Sequence, residues 1–245
     1  MSIKKAIEKI DEAGGLLVFP LDNRPDPQSL WSKLYPKSEM RWEWDESGDN
    51  RVARLWHLRT ELSVCKKVVY TKWYKGRATF FSRPVFQALL SELAFPKEST
   101  RSLPEAATTV LKVLEEDSPL STKQLKKETG LKGKDQESAY SKALKSLWER
   151  GLIVGFGEVD DGAFPSLAIG ASQLLFDDLW EEAKSLTQAK TEKILNSLFQ
   201  SQPLFKKEFE KVKKGLSGSF ISSKKSGKKN GFVLGKDLFL PPQDS

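Results

Sequence analysis

"SLWERGLIVGFGEVDDGAFPSLAIG", residues 146–170, is the stretch that decides the fold. It starts as the end of an amphipathic helix, with Leu147 and Trp148 on one face and Gly151 as its stop. The apolar run "LIVGFGEV" follows, then a turn at Asp160-Asp161-Gly162, then a second apolar run, "FPSLAIG". Two such runs around a Gly-containing turn predict a β-hairpin.

The residues before this ribbon read as three helices. "DQESAYSKALKSLWERG" (135–151) carries Ala139, Ala143, Leu144, Leu147 and Trp148 on one face. "SPLSTKQLKKETGL" (118–131) has Ser121 as N-cap, Leu125 pointing inward and Gly130 as the stop. "SLPEAATTVLKVLEED" (102–117) offers Ser102 as N-cap with Glu105 three residues on, a capping box, and then Ala106, Val110, Val113 and Leu114 at helical spacing. Three helices, a tight second turn and a two-stranded ribbon are the order of a winged helix. A generic α+β domain can present the same order.

The pattern returns towards the C-terminus. "LTQAKTEKILNSLFQ" reads as a helix with Ile194, Leu195, Leu198 and Phe199 inward. "PLFKKEFEKVKKG" echoes "PLSTKQLKKETG", and "GSFISSKKSGKKNGFVLGKDLFLP" reads as a hairpin tipped by "KKSGKKNG". No long third helix separates them, so this unit is a truncated version of the central one. The N-terminal third interleaves a first helix, a strand at "GLLVFP", a helix after "PDPQS", two strands in "KKVVYTKWYKGRATFFS" joined at Lys75-Gly76, and a helix at "RPVFQALLSELA". The expected fold is α+β, mostly helical, with about three winged-helix-like units: residues 1–98, a central winged helix over 99–183, and a truncated unit with a basic hairpin over 184–245. The expectation attached to it is that the hairpin tips face a common polyanion.

The charge distribution points the same way. The chain carries 40 Lys+Arg against 33 Asp+Glu, a net +7 over 245 residues. Residues 184–236 hold 13 Lys against three Glu, an excess of +10, which leaves the remainder at −3. Such asymmetry fits a polyanion contact at one end; a solvated lysine surface gives the same composition. One cysteine, Cys65, and one histidine, His57, leave no internal disulfide and no His/Cys zinc site. Cys65 reads as a small buried residue, and His57, between Trp56 and Leu58, as a buried, hydrogen-bonded histidine. Trp42, Trp44, Trp56, Trp73 and Tyr74 read as core or seam residues, although aromatic rings also stack on unpaired bases. No apolar run is long enough for a transmembrane helix and the N-terminus does not read as a signal peptide, so no membrane contact and a cytoplasmic location are expected.

"GLLVFPLDNRPDPQSLW", the "RWEWD" and "LWHLRTEL" stretches, "GRATFFSRPVFQALL" and the winged helix after them together resemble the tandem winged-helix proteins related to the AlkZ-type crosslink-repair DNA glycosylases. The resemblance runs from about Gly15 to Gly170. It implies several winged helices around a DNA-facing concave side. It also implies a Gln-x-Gln catalytic motif in the N-terminal domain, which the first 100 residues lack. The tripeptide Gln200-Ser201-Gln202 matches the motif but falls between two C-terminal helices, and reads as a chance match.

The reading is therefore a DNA-binding protein, driven by phosphate contacts and without its own catalysis, taking duplex DNA as a monomer. Its alternatives are a DNA glycosylase acting on damaged or crosslinked bases, and a protein-interaction scaffold. No cofactor and no metal are expected. The nucleic-acid contacts expected are Lys224, Lys225, Lys228 and Lys229 at the C-terminal hairpin, Lys75 and Arg77 at the N-terminal one, and Lys134, Gln136, Ser138, Ser141, Lys142 and Lys145 along the third central helix. Lys75 and Arg77 serve equally as charges that guard a sheet edge. The acids Glu158, Asp160 and Asp161 on the central ribbon would repel phosphate, which favours packing as that unit's role. Any catalytic carboxylate is sought first at Asp22, Glu43 and Asp45, beside aromatic residues.

Overall fold

The structure, a computed structural model, describes residues 2–41, 50–95, 102–160 and 165–217. Helix α1 (Ile3–Ala13) starts where Ser2 Oγ accepts from the Lys5 amide at 3.4 Å. It stops at Gly14, whose φ of 72° turns the chain into strand β1 (Gly15–Leu17). Helices α2 (Leu30–Leu34) and α3 (Asn50–Val64) follow. Strands β2 (Val68–Thr71) and β3 (Thr79–Ser82) form the hairpin expected around Lys75-Gly76. Both of those residues are left-handed, φ 50° and 75°, and the Arg77 amide closes the turn on the Tyr74 carbonyl at 2.8 Å.

Helix α4 (Arg83–Leu93) leads to the central unit: α5 (Glu105–Glu116), β4 (Leu120–Ser121), α6 (Thr122–Glu128), α7 (Glu137–Glu149), β5 (Ile153–Val159) and β6 (Ser166–Ala171). The ribbon expected from the opening stretch is β5 and β6, paired antiparallel. Its turn at Asp161-Gly162 lies outside the described residues. Ser121 caps α6 with a full capping box, accepting from the Gln124 amide at 3.1 Å while Gln124 Oε1 accepts from the Ser121 amide at 2.8 Å. The start of α5 differs from expectation. Pro104, not Ser102, is its N-cap, because ψ of 148° keeps the chain extended up to Glu105.

The described strands form one antiparallel sheet of six, in the order β1-β3-β2-β5-β6-β4. The fold is thus mixed α+β and mostly helical. Every residue of β2 is buried, and alternate positions serve different cores. Val68 and Tyr70 join Leu16 and Phe80 beneath α1 and α3; Val69 joins Leu17 and Phe81 beneath α4 and the C-terminal helices. A third core lies between α5, α6 and α7 and the residues Ile153, Ile169 and Ala171. The two hairpins meet at Tyr70 and Gly155. A Cβ at Gly155 would sit 2.2 Å from Tyr70 Cδ1, so only glycine allows this approach.

This pairing corrects the expectation of a shared tip direction. Strand β5 runs antiparallel to β2, so the β2–β3 turn leaves one end of the sheet and the β5–β6 turn leaves the other. The hairpins are joined head to tail.

After α8 (Ser172–Leu175) and α9 (Asp177–Ser185), helices α10 (Gln188–Ser201) and α11 (Pro203–Leu216) complete the described chain. Helix α11 has 14 residues, twice the seven of α6, which its sequence echoes. Phe205 on α11 is fully buried, with ring centroids 5.1 Å from Tyr74 and 5.9 Å from both Trp73 and Phe81. The C-terminal helices therefore pack on the N-terminal sheet. No helix among the described residues is long and apolar enough to cross a membrane.

Candidate nucleic-acid interface

Helix α7 is held from behind and open in front. Tyr140, Ala143, Leu144, Leu147 and Trp148 are buried. The Tyr140 hydroxyl donates to the Thr122 carbonyl at 3.3 Å, and burial, with the Glu137 charge second, pushes its phenol far above the ordinary range. Lys126 on α6 pairs with Glu137 at 2.7 Å, closing the α6–α7 corner. Of the residues singled out from sequence, Lys134, Ser138 and Lys142 are exposed, and Gln136, Ser141 and Lys145 are half-buried. Lys145 forms an ion pair with Glu149, one turn on, and Gln136 Nε2 donates to Asp135 at 3.2 Å. The open polar face of α7 therefore narrows to Ser138, Ser141 and Lys142, with Lys134 exposed in the turn that precedes the helix.

The residue that sequence reasoning missed is Arg59. It lies on α3 and is 4% exposed. Its guanidinium stacks 3.9 Å from the Trp56 ring centroid, donates to the Tyr70 hydroxyl at 3.5 Å and forms an ion pair with Glu158 of β5. Burial works against its charge, but the Tyr70 hydroxyl and the Glu158 carboxylate outweigh burial and hold the guanidinium above its ordinary value. Arg59 Nε is buried and unbonded among the described residues. Beside this pair, the Gly157 amide donates to Ser63 Oγ at 2.9 Å, at a bulge where Gly157 takes φ 77°. Glu158 is thus not a free acid on a ribbon tip. It is neutralised by a helix of the N-terminal part, and its side chain is 19% exposed.

The remaining candidates separate. Lys75 and Arg77 are exposed at the β2–β3 turn, at the far end of the sheet from the β5–β6 turn. Asp22 is exposed, with φ 52°, in a loop where the Asn23 side chain clasps the Met40 backbone at 2.9 Å in both directions. Glu43, Asp45, Trp42 and Trp44 lie outside the described residues, as do Lys224, Lys225, Lys228 and Lys229. Trp73 and Tyr74 are core residues at 2% and 1% exposure. His57 is exposed, which corrects the buried reading: Leu55, Leu58 and Leu62 set the apolar face of α3, and a residue two steps from Leu55 falls on the opposite side. Cys65 is half-buried, its thiol 3.1 Å from the Leu62 carbonyl. Gln202 is fully buried: its Nε2 donates to the Gly15 carbonyl at 2.9 Å and its Oε1 accepts from the Gln28 amide at 3.0 Å. One donor and one acceptor of that amide are engaged with backbone, which ties the α10–α11 corner to β1 and to the Gln28 loop.

The model of the AlkZ-related family matches residues 1–214. The chain belongs to the AlkZ-related family. Neither a curated protein nor a solved structure matches it. The match takes in α10 and nearly all of α11 and stops before residues 215–245, which hold the expected basic hairpin.

Proposed function

We propose that this AlkZ-related protein binds duplex DNA as a monomeric tandem winged-helix protein, through phosphate contacts and without base-excision chemistry of its own. The observation that carries the reading is the order α5–β4–α6–α7–β5–β6, in which β4 pairs with β6 beside the ribbon and α7 turns a polar, lysine-bearing face to solvent. That is the order in which a winged helix offers its third helix to a groove. Ser138 and Ser141 on that face reach base edges, and Lys134 and Lys142 reach phosphates. In this reading its units are 1–98, 99–183 and 184–245. Lys224, Lys225, Lys228 and Lys229 form a further phosphate contact, and Lys75 with Arg77 another. The family membership supports a DNA-repair setting. The absence of catalysis is supported by the lack of a Gln-x-Gln motif in the first 100 residues.

The test is fluorescence anisotropy on a labelled duplex at ~50 and ~200 mM salt, where each phosphate contact contributes about 0.9 to the slope of log K against log salt. Replacing Lys224, Lys225, Lys228 and Lys229 by Ala together lowers that slope by about 3.6. Lys134→Ala with Lys142→Ala lowers it by about 1.8. Absence of binding, or binding indifferent to salt, refutes the proposal. Strand breaks after incubation with alkylated duplex and alkali would transfer it to the glycosylase reading.

A further inference from the structure

The central ribbon carries acids of its own, yet it ends beside two lysines from another part of the chain. Strand β2 is entered through Cys65-Lys66-Lys67, and the head-to-tail pairing brings this entry to the sheet end from which the β5–β6 turn leaves. Lys66 and Lys67 are both exposed. Neither forms an ion pair with a described residue, whereas Lys126, Lys145, Lys184, Lys206, Lys211 and Lys213 all do.

Lys66 is also held in an unfavourable backbone conformation. Its φ is 56°, the left-handed region that suits glycine and asparagine and disfavours a long side chain. Two contacts fix it there. Arg83 Nη1 donates to the Lys66 carbonyl at 2.7 Å while its other nitrogen pairs with Asp178. The Lys66 ammonium lies 5.9 Å from the ring centroid of Phe156 on β5. A lysine kept where asparagine would sit more easily points to a use for its charge. The acids nearby are largely answered: Glu158 by Arg59 and Asp178 by Arg83, with Asp160 exposed at the end of β5.

We propose that Lys66 and Lys67 contact the DNA phosphate backbone, so that the basic side of the central ribbon is composite. Strand β5 supplies the shape, Arg59 neutralises its acid, and the α3–β2 connection supplies the positive charge. Arg83 is a positioning residue that holds the Lys66 carbonyl. This rests on the duplex-binding reading and adds a contact that the central unit alone does not contain.

The experiment compares the full chain with Lys66→Asn/Lys67→Gln, Lys66→Arg, and a charge-matched control on α1, Lys4→Gln/Lys5→Gln, by duplex anisotropy between ~50 and ~200 mM salt, with a thermal melt of each. Asparagine accepts the left-handed conformation, so the double variant melts no lower than the parent. Its salt slope falls by about 1.8, and the parent loses about tenfold more affinity than this variant across that salt range. Lys66→Arg retains the parent slope, and the α1 control changes it less than the double variant does. An unchanged slope in Lys66→Asn/Lys67→Gln, with Lys134→Ala/Lys142→Ala still weakening binding, overturns the composite contact and leaves the duplex reading standing. An equal loss in the α1 control also overturns it. A parent protein that does not bind duplex at all removes both.

Discussion

Breaking the Arg59–Glu158 pair from its two sides is expected to give unequal losses. The Arg59 side chain is 5% exposed and that of Glu158 is 19% exposed. Glu158→Gln leaves a buried guanidinium facing a neutral amide, with Nε already lacking a partner. Removing one partner of a buried pair costs about 3–5 kcal/mol, because an uncompensated charge stays behind. Arg59→Met keeps the volume against Trp56 and leaves Glu158, whose carboxylate reaches water by a small rotation. Its loss is lower, about 1–3 kcal/mol, the range for a polar group left short of a hydrogen bond. For a chain of this size, about 1 kcal/mol corresponds to roughly 2–4 °C in Tm, so Glu158→Gln melts about 10 °C lower and Arg59→Met about 5 °C lower. The double variant Arg59→Met/Glu158→Gln removes both charges and recovers part of the loss. Urea denaturation with matched m-values, alongside calorimetry, measures all of this. If Arg59→Met is the worse of the single variants, or if the double variant equals the sum of the singles, the pair is not the linkage described.

Gly155→Ala introduces a methyl where Tyr70 Cδ1 is 2.2 Å away and the ring is fully buried, so the seam between the hairpins must open. The expected loss is about 1–3 kcal/mol by chemical denaturation, and a variant as stable as the parent would mean that the strands do not meet there. Gln202→Leu leaves the Gly15 carbonyl and the Gln28 amide without their partner. It lowers stability by about 2–4 kcal/mol and speeds amide exchange at Gln28, read by hydrogen-exchange mass spectrometry.

The sequence is legible where the physics is local. The Ser121 cap, the Gly151 stop and the apolar period of α7 each involve neighbours within one turn, and all are present. The left-handed Lys75-Gly76 turn announced its hairpin in the same way. What escaped were relations between distant residues. Nothing near Tyr70 announces that it will pair with Gly155, and β4, with two residues, carries no periodicity to detect. The chain neighbours of His57, Trp56 and Leu58, do not set its burial; on a helix the neighbours that matter are three and four residues away. The same count finds Arg59, four residues after Leu55 and three before Leu62 on the apolar face of α3. A charged residue at such a position needs a counter-charge, which is a usable signal, but its partner 99 positions later is visible in three dimensions alone. The tripeptide Gln200-Ser201-Gln202 lies at the α10–α11 junction, where the Gln202 amide bonds to Gly15 and Gln28, a long-range tie that no local pattern announces.

The continuity of the sheet has a consequence for dissecting the protein. A truncation between α4 and α5 would strip β2 and β5 of each other and expose a bare strand edge on both halves, each with hydrogen-bonding groups that match a second copy of itself. Fragments made at that natural-looking cut would aggregate more readily than the intact chain, so the halves are better separated by point substitution at the seam than by scissors.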